Sequence, residues 1–462
     1  MMKRRDFGFL AGTSLATTAI RPARAQTATP DPSLLKTTLT PMGAERAGNA
    51  DGSIPAWTGG VVGAPAVPNV DTRVHMFEDE APLYTVNASN MAQYADLLTE
   101  ATKFQITNFG LYLKVYKTHR TAAATQQVYD NAALNVTRAQ MDPRGGRFGF
   151  ANAVGAPPFP IINTADPLVG GAQLIWNHLT GWGGAQTGIA NFSPGCVVID
   201  GKIILVSGSY GKFSSPYYDV NTTVDNYQGF GIKSHFWNVA PPSQVGGETL
   251  VWHSTNTSVH PDIVWVLING EGRVRKAPDQ AFDSPNPNGN AVSNVDEAQC
   301  FYGSPVQYNW TYIAKKEMLV PYNCNKIDFV NALDLLKPHF PDPEVLRWEK
   351  HRVWVVEADL APGEHNVNAK RRFYIDEDSW FSLLGEGYDA HGTMVKSYSL
   401  YNHCTPSNPS TATAATVTLA LSSGNYVYDG NNDFGSYKAG AFTAPIPPSA
   451  FDPKNMAAES SF

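Results

Sequence analysis

The stretch Cys196-Val197-Val198-Ile199-Asp200-Gly201-Lys202-Ile203-Ile204-Leu205-Val206 sets an Asp-Gly pair between two β-branched runs. Such a pair tolerates the positive φ angles of a two-residue type I′ turn, so the segment predicts a tight hairpin. The same alternation of strand and turn continues downstream. Strands are predicted at 249–254, 263–268, 273–277, 308–314, 317–321, 351–360, 370–376, 380–387, 393–401, 416–421 and 425–428. Turns at Asn269-Gly270-Glu271-Gly272 and Ala361-Pro362-Gly363 separate some of them. Short connections join antiparallel neighbours, because a parallel pair needs a crossover of about a dozen residues or more.

Several of these strands are apolar on both faces. Ile263-Val264-Trp265-Val266-Leu267-Ile268 and Val353-Trp354-Val355-Val356 run without a polar residue. A sheet wetted on one face alternates instead. The second face therefore needs cover, and helices predicted at 89–103, 172–179 and 329–336 supply it, with the long N-terminal stretch. With 39 glycines and 33 prolines, long helices cannot dominate the chain. The expected fold is mainly β (α+β): one large curved antiparallel sheet forming a half-open barrel with a few covering helices. The Thr/Ser/Pro/Ala-rich residues 405–415 read as a flexible loop before the last hairpin.

The N-terminus carries an address. Arg4-Arg5 precedes Phe7, a short apolar run follows at 9–16, and Ala23-Arg24-Ala25 has the small-x-small form that a signal peptidase reads. The expectation is a twin-arginine signal peptide over 1–25, cut after Ala25, an extended segment over 26–75, and one β-rich domain over 76–462. The product is then periplasmic and soluble rather than lipid-anchored, since no cysteine stands near the cut. Losing Lys3, Arg4, Arg5, Arg21, Arg24 and Asp6 takes the net charge from −7 to −11. A chain so acidic has no general attraction for nucleic acid.

Chemistry-bearing motifs are scarce. Nucleophile elbows, phosphate loops, dinucleotide fingerprints and metal-binding helices are missing from the sequence, so no cofactor and no metal is expected. Ser207-Gly208-Ser209-Tyr210-Gly211 reads as a strand end. Asp376-Glu377-Asp378 reads as a solvated hairpin turn in preference to a Ca²⁺ site. His178, His351 and His403 read as structural. Cys196, Cys300, Cys324 and Cys404 are even in number and, in an oxidising compartment, are candidates for two disulfides of unassigned pairing. The aromatics say more. Trp252, Trp265, Trp310, Tyr312, Trp354, Phe373, Trp380 and Tyr398 fall in or beside predicted strands. Ordinary core is one reading; the other makes them the lining of an apolar cavity on the curved sheet.

Residues 39–60, with Pro41, Gly43, Glu45, Arg46, Asn49, Asp51, Gly52, Pro55, Trp57 and Gly59, resemble the N-terminal signature of a Gram-negative domain-of-unknown-function family described as outer-membrane lipoprotein-sorting protein. The segments 129–133, 158–161, 175–178, 273–278, 315–323, 351–358 and 373–380 carry the likeness nearly to the end of the chain. Cys300, Cys324 and the apparently longer stretches 155–171 and 405–415 depart from the family pattern. The resemblance implies a fold akin to the Lol-type lipoprotein carriers, half-open barrels with helices over an apolar cavity. It also implies an association with RND-type permeases and outer-membrane proteins that move hydrophobic compounds. It brings no catalytic residue with it.

Three functions fit these residues. The leading one is a periplasmic carrier for a lipid or other hydrophobic compound, with helices near 89–103 and 172–179 as a lid. The others are a hydrolase of a hydrophobic ester, using one of the three histidines, and a scaffold subunit with a filled core. Each CH₂ buried is worth about 0.8 kcal/mol, so a sixteen-carbon chain costs on the order of 12 kcal/mol to leave in water and crosses an aqueous gap only inside a shield.

Overall fold

The computed structural model describes residues 30–277, 284–286 and 291–456. The signal segment expected at 1–25 lies outside them. Strands β1 (Tyr84–Val86) and β2 (Leu113–Val115) come first, then the short pair β3 (Gln140–Met141) and β4 (Phe150–Ala151). A meander follows: β5 (Thr187–Ile199), β6 (Lys202–Ser214), β7 (Phe230–Ala240), β8 (Glu248–Ser254), β9 (Ile263–Leu267) and β10 (Val274–Lys276). The second run is β11 (Tyr308–Pro321), β12 (Trp348–Leu360), β13 (Lys370–Asp376), β14 (Ser382–Tyr388), β15 (Met394–Thr405), β16 (Ser410–Ala420), β17 (Asn425–Gly430) and β18 (Ala441–Thr443).

All but β3 and β4 join one curved 16-stranded sheet whose path runs β1-β2-β12-β13-β14-β15-β16-β17-β5-β6-β7-β8-β9-β10. Pairing is antiparallel throughout except for a single parallel bridge between Trp348 and Val115. The sheet stays open, with β11 laid along β12 and β18 along β5. The two meanders are thus halves of one surface, stitched where β17 meets β5, Tyr428 opposite Cys196.

The Asp200-Gly201 hairpin forms as its sequence demands, with φ of 50° and 75° at the two turn residues. Elsewhere the expectations need correction. Residues 308–321 make one strand rather than two, with an irregularity between Tyr312 and Ala314 absorbing the break. The supposed loop 405–415 is mostly the edge-to-edge pair of β15 and β16, because Thr and Ala at alternating positions suit a pleated surface as well as a loop. Ser207 to Gly211 sit inside β6, not at its end. Trp380 stands in the turn before β14, at φ 66°.

Among the described residues there are four α-helices, α1 (Glu100–Phe109), α2 (Gln126–Arg138), α3 (Pro167–Leu179) and the short α4 (Ala332–Leu335), of which α1 and α3 pack on the sheet. The helix expected at 89–103 is instead a 3-10 turn over Met91–Leu97, and α1 starts afresh beyond it. Thr99, its side chain accepting from the Thr102 amide, caps the new start, so the cap rather than the apolar spacing sets the boundary. α3 begins earlier than its apolar face suggests. Asp166 accepts from the amides of Leu168 and Val169, and Pro167 fills the first helical position. Near 329–336 a 3-10 turn over Asn325–Phe329 precedes α4.

The principal core lies between β11–β17 and the helices. Trp310 stacks on Phe373 at 5.8 Å, Phe373 on Tyr398 at 6.4 Å, and Trp354 on Trp380 at 6.4 Å. Leu174, Ile175 and Trp176 of α3 press into the same core. α3 comes close because Gly171 has no side chain: a Cβ there would lie 2.5 Å from the Thr311 amide nitrogen and from the Trp310 carbonyl oxygen.

Candidate functional site

A cavity of about 1050 Å³ opens between the β5–β9 half of the sheet and the C-terminal end of α3. Alternation along the strands builds its wall. Ile232, Ser234 and Phe236 of β7, Val251 of β8, and Val264 and Val266 of β9 face inward. They sit in register, Ser234 opposite Val251 and Val251 opposite Val264. Trp176, Leu179, Trp182 and Phe381 close it from the helix side. A pocket of this volume is at the upper end of the range for ordinary small-molecule sites, and its aliphatic and aromatic lining suits an apolar guest.

The eight aromatics proposed as lining stand elsewhere. Trp310, Trp354, Phe373, Trp380 and Tyr398 are buried in the principal core, with Tyr312 packed against it. Trp252 and Trp265 lie on the other face of β8 and β9, edge to face at 5.2 Å. There they join Leu250, Leu267, Phe451 and Met456 beneath the C-terminal residues. The Trp252 indole nitrogen donates to the Phe451 carbonyl at 3.1 Å. A run such as Ile263 to Ile268 is therefore apolar on both sides for two reasons: one face meets the cavity and the other the C-terminus. Sequence shows such a run but not which face is which, and the smaller residues Val251, Val264 and Val266 drew no attention beside the tryptophans. Of the two segments expected to form a lid, α3 contributes wall residues and 89–103 does not reach the cavity.

The cavity wall also holds polar groups. His403 on β15 is 5% exposed, and its Nδ1 lies 2.5 Å from Asp328 Oδ2. Ser410, opposite Thr405 on β16, is 1% exposed, and its hydroxyl is buried without a partner. Ser304 is likewise buried and unpartnered. His178 is held neutral: its Nδ1 accepts from the Ser382 amide, its Nε2 meets the Phe301 carbonyl at 3.0 Å, and burial pulls its pKa down to about 4. Also in the wall, His253 Nδ1 stands 3.5 Å from Asp262.

The turn at Asp376, Glu377 and Asp378 is buried, not solvated. It is the hub of an ion-pair network that collects the N-terminal signature. Arg120 grips Asp378 with two bonds and also donates to the Glu45 carbonyl at 2.7 Å. Arg352 reaches Glu377 at 3.0 Å and the Ala47 carbonyl at 3.0 Å. The Glu45 amide donates to Glu377, the Trp380 indole to the Met42 carbonyl at 2.9 Å, and the Trp57 indole to the Ala122 carbonyl. Arg46 lies over the Trp57 ring. Asn49 donates to Glu317, and Asp51 pairs with Lys350 at 3.0 Å. Gly43 cannot carry a side chain, since a Cβ would fall 1.9 Å from the Pro160 carbonyl oxygen. Pro41 and Pro55 flank the turns that allow this path. The signature docks the N-terminal segment.

His351 stacks on Tyr322 at 3.8 Å and bonds Glu349 at 3.0 Å. Burial lowers its pKa, but the bond to Glu349 and the charges of Glu349 and Asp376 outweigh this and raise it. Burial and the neighbouring Asp378 charge push Asp376 up to about 6. His351, Asp376 and Asp378 bring ligand-type atoms within 4.8 Å of one another. Asp378 is already taken by both nitrogens of the Arg120 fork, which suits an ion-pair hub better than a metal centre. The four cysteines are free and buried, and the disulfides considered from their number are not formed.

Residues 85–457 match the family model described as protein of unknown function (DUF1329). A Pseudomonas aeruginosa protein named uncharacterized protein PA3922 is 35% identical over 372 residues, 78% of each chain. A DUF1329 family protein from Desulfovibrio piger aligns with 59% of this chain and 92% of its own, at 11% identity and a TM-score of 0.40. A domain described as an outer membrane lipoprotein-sorting protein, from Vibrio parahaemolyticus, aligns with 64% of this chain and all of its own, at 12% identity and a TM-score of 0.42.

Proposed function

Because the chain belongs to the DUF1329 family, whose description assigns no activity, we propose a function from the cavity: a carrier that shields a lipid or other hydrophobic compound from water. The observation that carries it is the void of about 1050 Å³ walled by Val251, Val264, Val266, Ile232 and Phe236 on one side and α3 on the other. A scaffold fills such a space with its own side chains, as the β11–β17 half of this sheet does. Among the described residues no helix is long and apolar enough to cross a membrane. The twin-arginine address adds a place of work in the periplasm, and the family resemblance adds an RND-type permease and an outer-membrane protein as the parties between which a load passes.

Release limits affinity, so only part of the burial energy of a long chain appears as binding. The test is extraction of the purified protein followed by mass spectrometry, with titration by N-phenyl-1-naphthylamine as an uncharged fluorescent probe. A co-purified hydrophobe or saturable fluorescence enhancement supports the reading; neither one ends it.

A second reading has one observation in its favour. His403 in the cavity wall offers a base, and Asp328 behind it is the carboxylate that orients its ring. No serine hydroxyl bonds to His403 among the hydrogen bonds of the described residues, which leaves a hydrolase behind a carrier. An esterase panel on p-nitrophenyl esters separates them.

A further inference from the structure

We infer that the cavity selects an uncharged amphiphile and seats its polar head against His403 and Ser410; this rests on the carrier reading. The first ground is the charge of the wall. Among the described residues that line the cavity there is no lysine and no arginine, and the sequence from 278 to 290 contains none either. The acids present are Glu248, 2.8 Å from His235, and Asp262, beside His253. A phosphate or carboxylate brought into this space loses its water and meets no lining cation to replace it, so its charged head is disfavoured there.

The second ground is the arrangement of polar atoms. Asp328 occupies Nδ1 of His403, so Nε2 is the ring nitrogen left for a guest. His403 lies directly opposite Ala412, and Ser410 directly opposite Thr405, two residue pairs along the ladder, which sets His403 and Ser410 diagonally on the face that lines the cavity. The Ser410 hydroxyl is buried with no partner of its own. A hydroxyl that both donates and accepts, next to an imidazole, suits an alcohol, ester or amide head. Asp328 stands behind His403, and the guanidinium of Arg73, which does not line the cavity, is spent on Asp71 and on the carbonyls of Asp328, Asn431 and Ala439. The tail then runs along Phe236, Val251 and Val264.

The experiment is displacement of N-phenyl-1-naphthylamine from the full chain by amphiphiles of one chain length. Monopalmitoylglycerol and hexadecanol represent uncharged heads, palmitate and palmitoyl-lysophosphatidylglycerol anionic ones. The uncharged pair is expected to compete at least about tenfold better. Ser410→Ala is expected to weaken monopalmitoylglycerol about five- to tenfold. Thr405→Lys, which puts a cation beside that head site, is expected to narrow or reverse the preference. Equal or better competition by the anions, or no effect of Ser410→Ala, overturns the inference while the carrier reading stands. Failure of the naphthylamine and of every amphiphile to bind removes both.

Discussion

Arg120 and Asp378 are joined by two parallel bonds, Nε to Oδ2 at 2.8 Å and an outer guanidinium nitrogen to Oδ1 at 2.7 Å, with both side chains buried. The pair is 258 residues apart in sequence and holds the N-terminal segment to the turn between β13 and β14. Removing one partner strands the other charge in the interior, which costs about 3–5 kcal/mol. Arg120→Met is expected to lower the urea midpoint accordingly. An Arg120→Met/Asp378→Leu double variant is expected to recover part of that loss. Equal stability of the single variant and the parent counts against the hub.

The cavity face and the outer face of β8 and β9 make opposite predictions for neighbouring residues. Val251→Asp puts an acid against the apolar wall and is expected to abolish naphthylamine binding. Trp265→Ala, one strand away on the outer face, is expected to cost about 3–5 kcal/mol at most in stability and to leave binding intact. Titration fluorescence and thermal melting on the two variants decide between a guest on this face and one on the tryptophan face.

α3 tolerates no side chain at Gly171. Overpacking against the β11 backbone costs typically about 1–3 kcal/mol, and the fixed partners here put Gly171→Val at or above the top of that range. The same substitution at Gly52, where nothing lies within 4 Å but φ is 73°, is expected to cost through backbone strain alone. Circular dichroism melts of the pair measure the difference.

His178 makes folding pH-dependent. Its folded pKa is about 4 against 6.5 for an ordinary imidazole, so the unfolded chain takes up a proton first as pH falls. Stability from this group is complete above pH 6.5 and is lost between pH 6.5 and about 4, for a total of about 3 kcal/mol. His178→Gln is expected to flatten that part of the urea-stability profile. Asp376 acts in the other direction, since its raised pKa favours the folded state at low pH and that contribution fades as pH rises toward 6. A profile unchanged by His178→Gln removes the assignment.

The cysteines are expected to be inert in the folded chain. Burial pushes Cys324 up to about 12 and the other thiols upward as well. A thiol reagent at pH 8 is expected to label none before unfolding and all four in guanidinium.

The hairpin at Asp200-Gly201 and the antiparallel pairing of successive strands were legible because turn chemistry is local, whereas the join of β17 to β5 was not. The family was legible in segments spread along the chain, yet the role of residues 39–60 was not: Glu45 and Glu377 are neighbours only in space, so the turn at 376–378 read as polar surface when its partners arrive from Arg120, Arg352 and the N-terminus. Helix α2 went unread because its buried side, Val128, Ala132 and Asn135, is sparse and partly polar. The cavity was expected and its lining misassigned, since large aromatics signal burial of either kind, while the void is edged by valines and small polar residues whose inward direction depends on strand register.

The contact between Glu45 and Glu377 spans 332 residues. Synthesis proceeds from the N-terminus, so residues 39–60 leave the ribosome long before the turn they rest on exists, and until then only nearer partners such as Ala122 and Arg120 are there to meet them. Their docking is a closing step, available only to a chain whose β13–β14 turn is already made. A product truncated before that turn lacks the carboxylates that seat the Glu45 amide and the Arg120 fork.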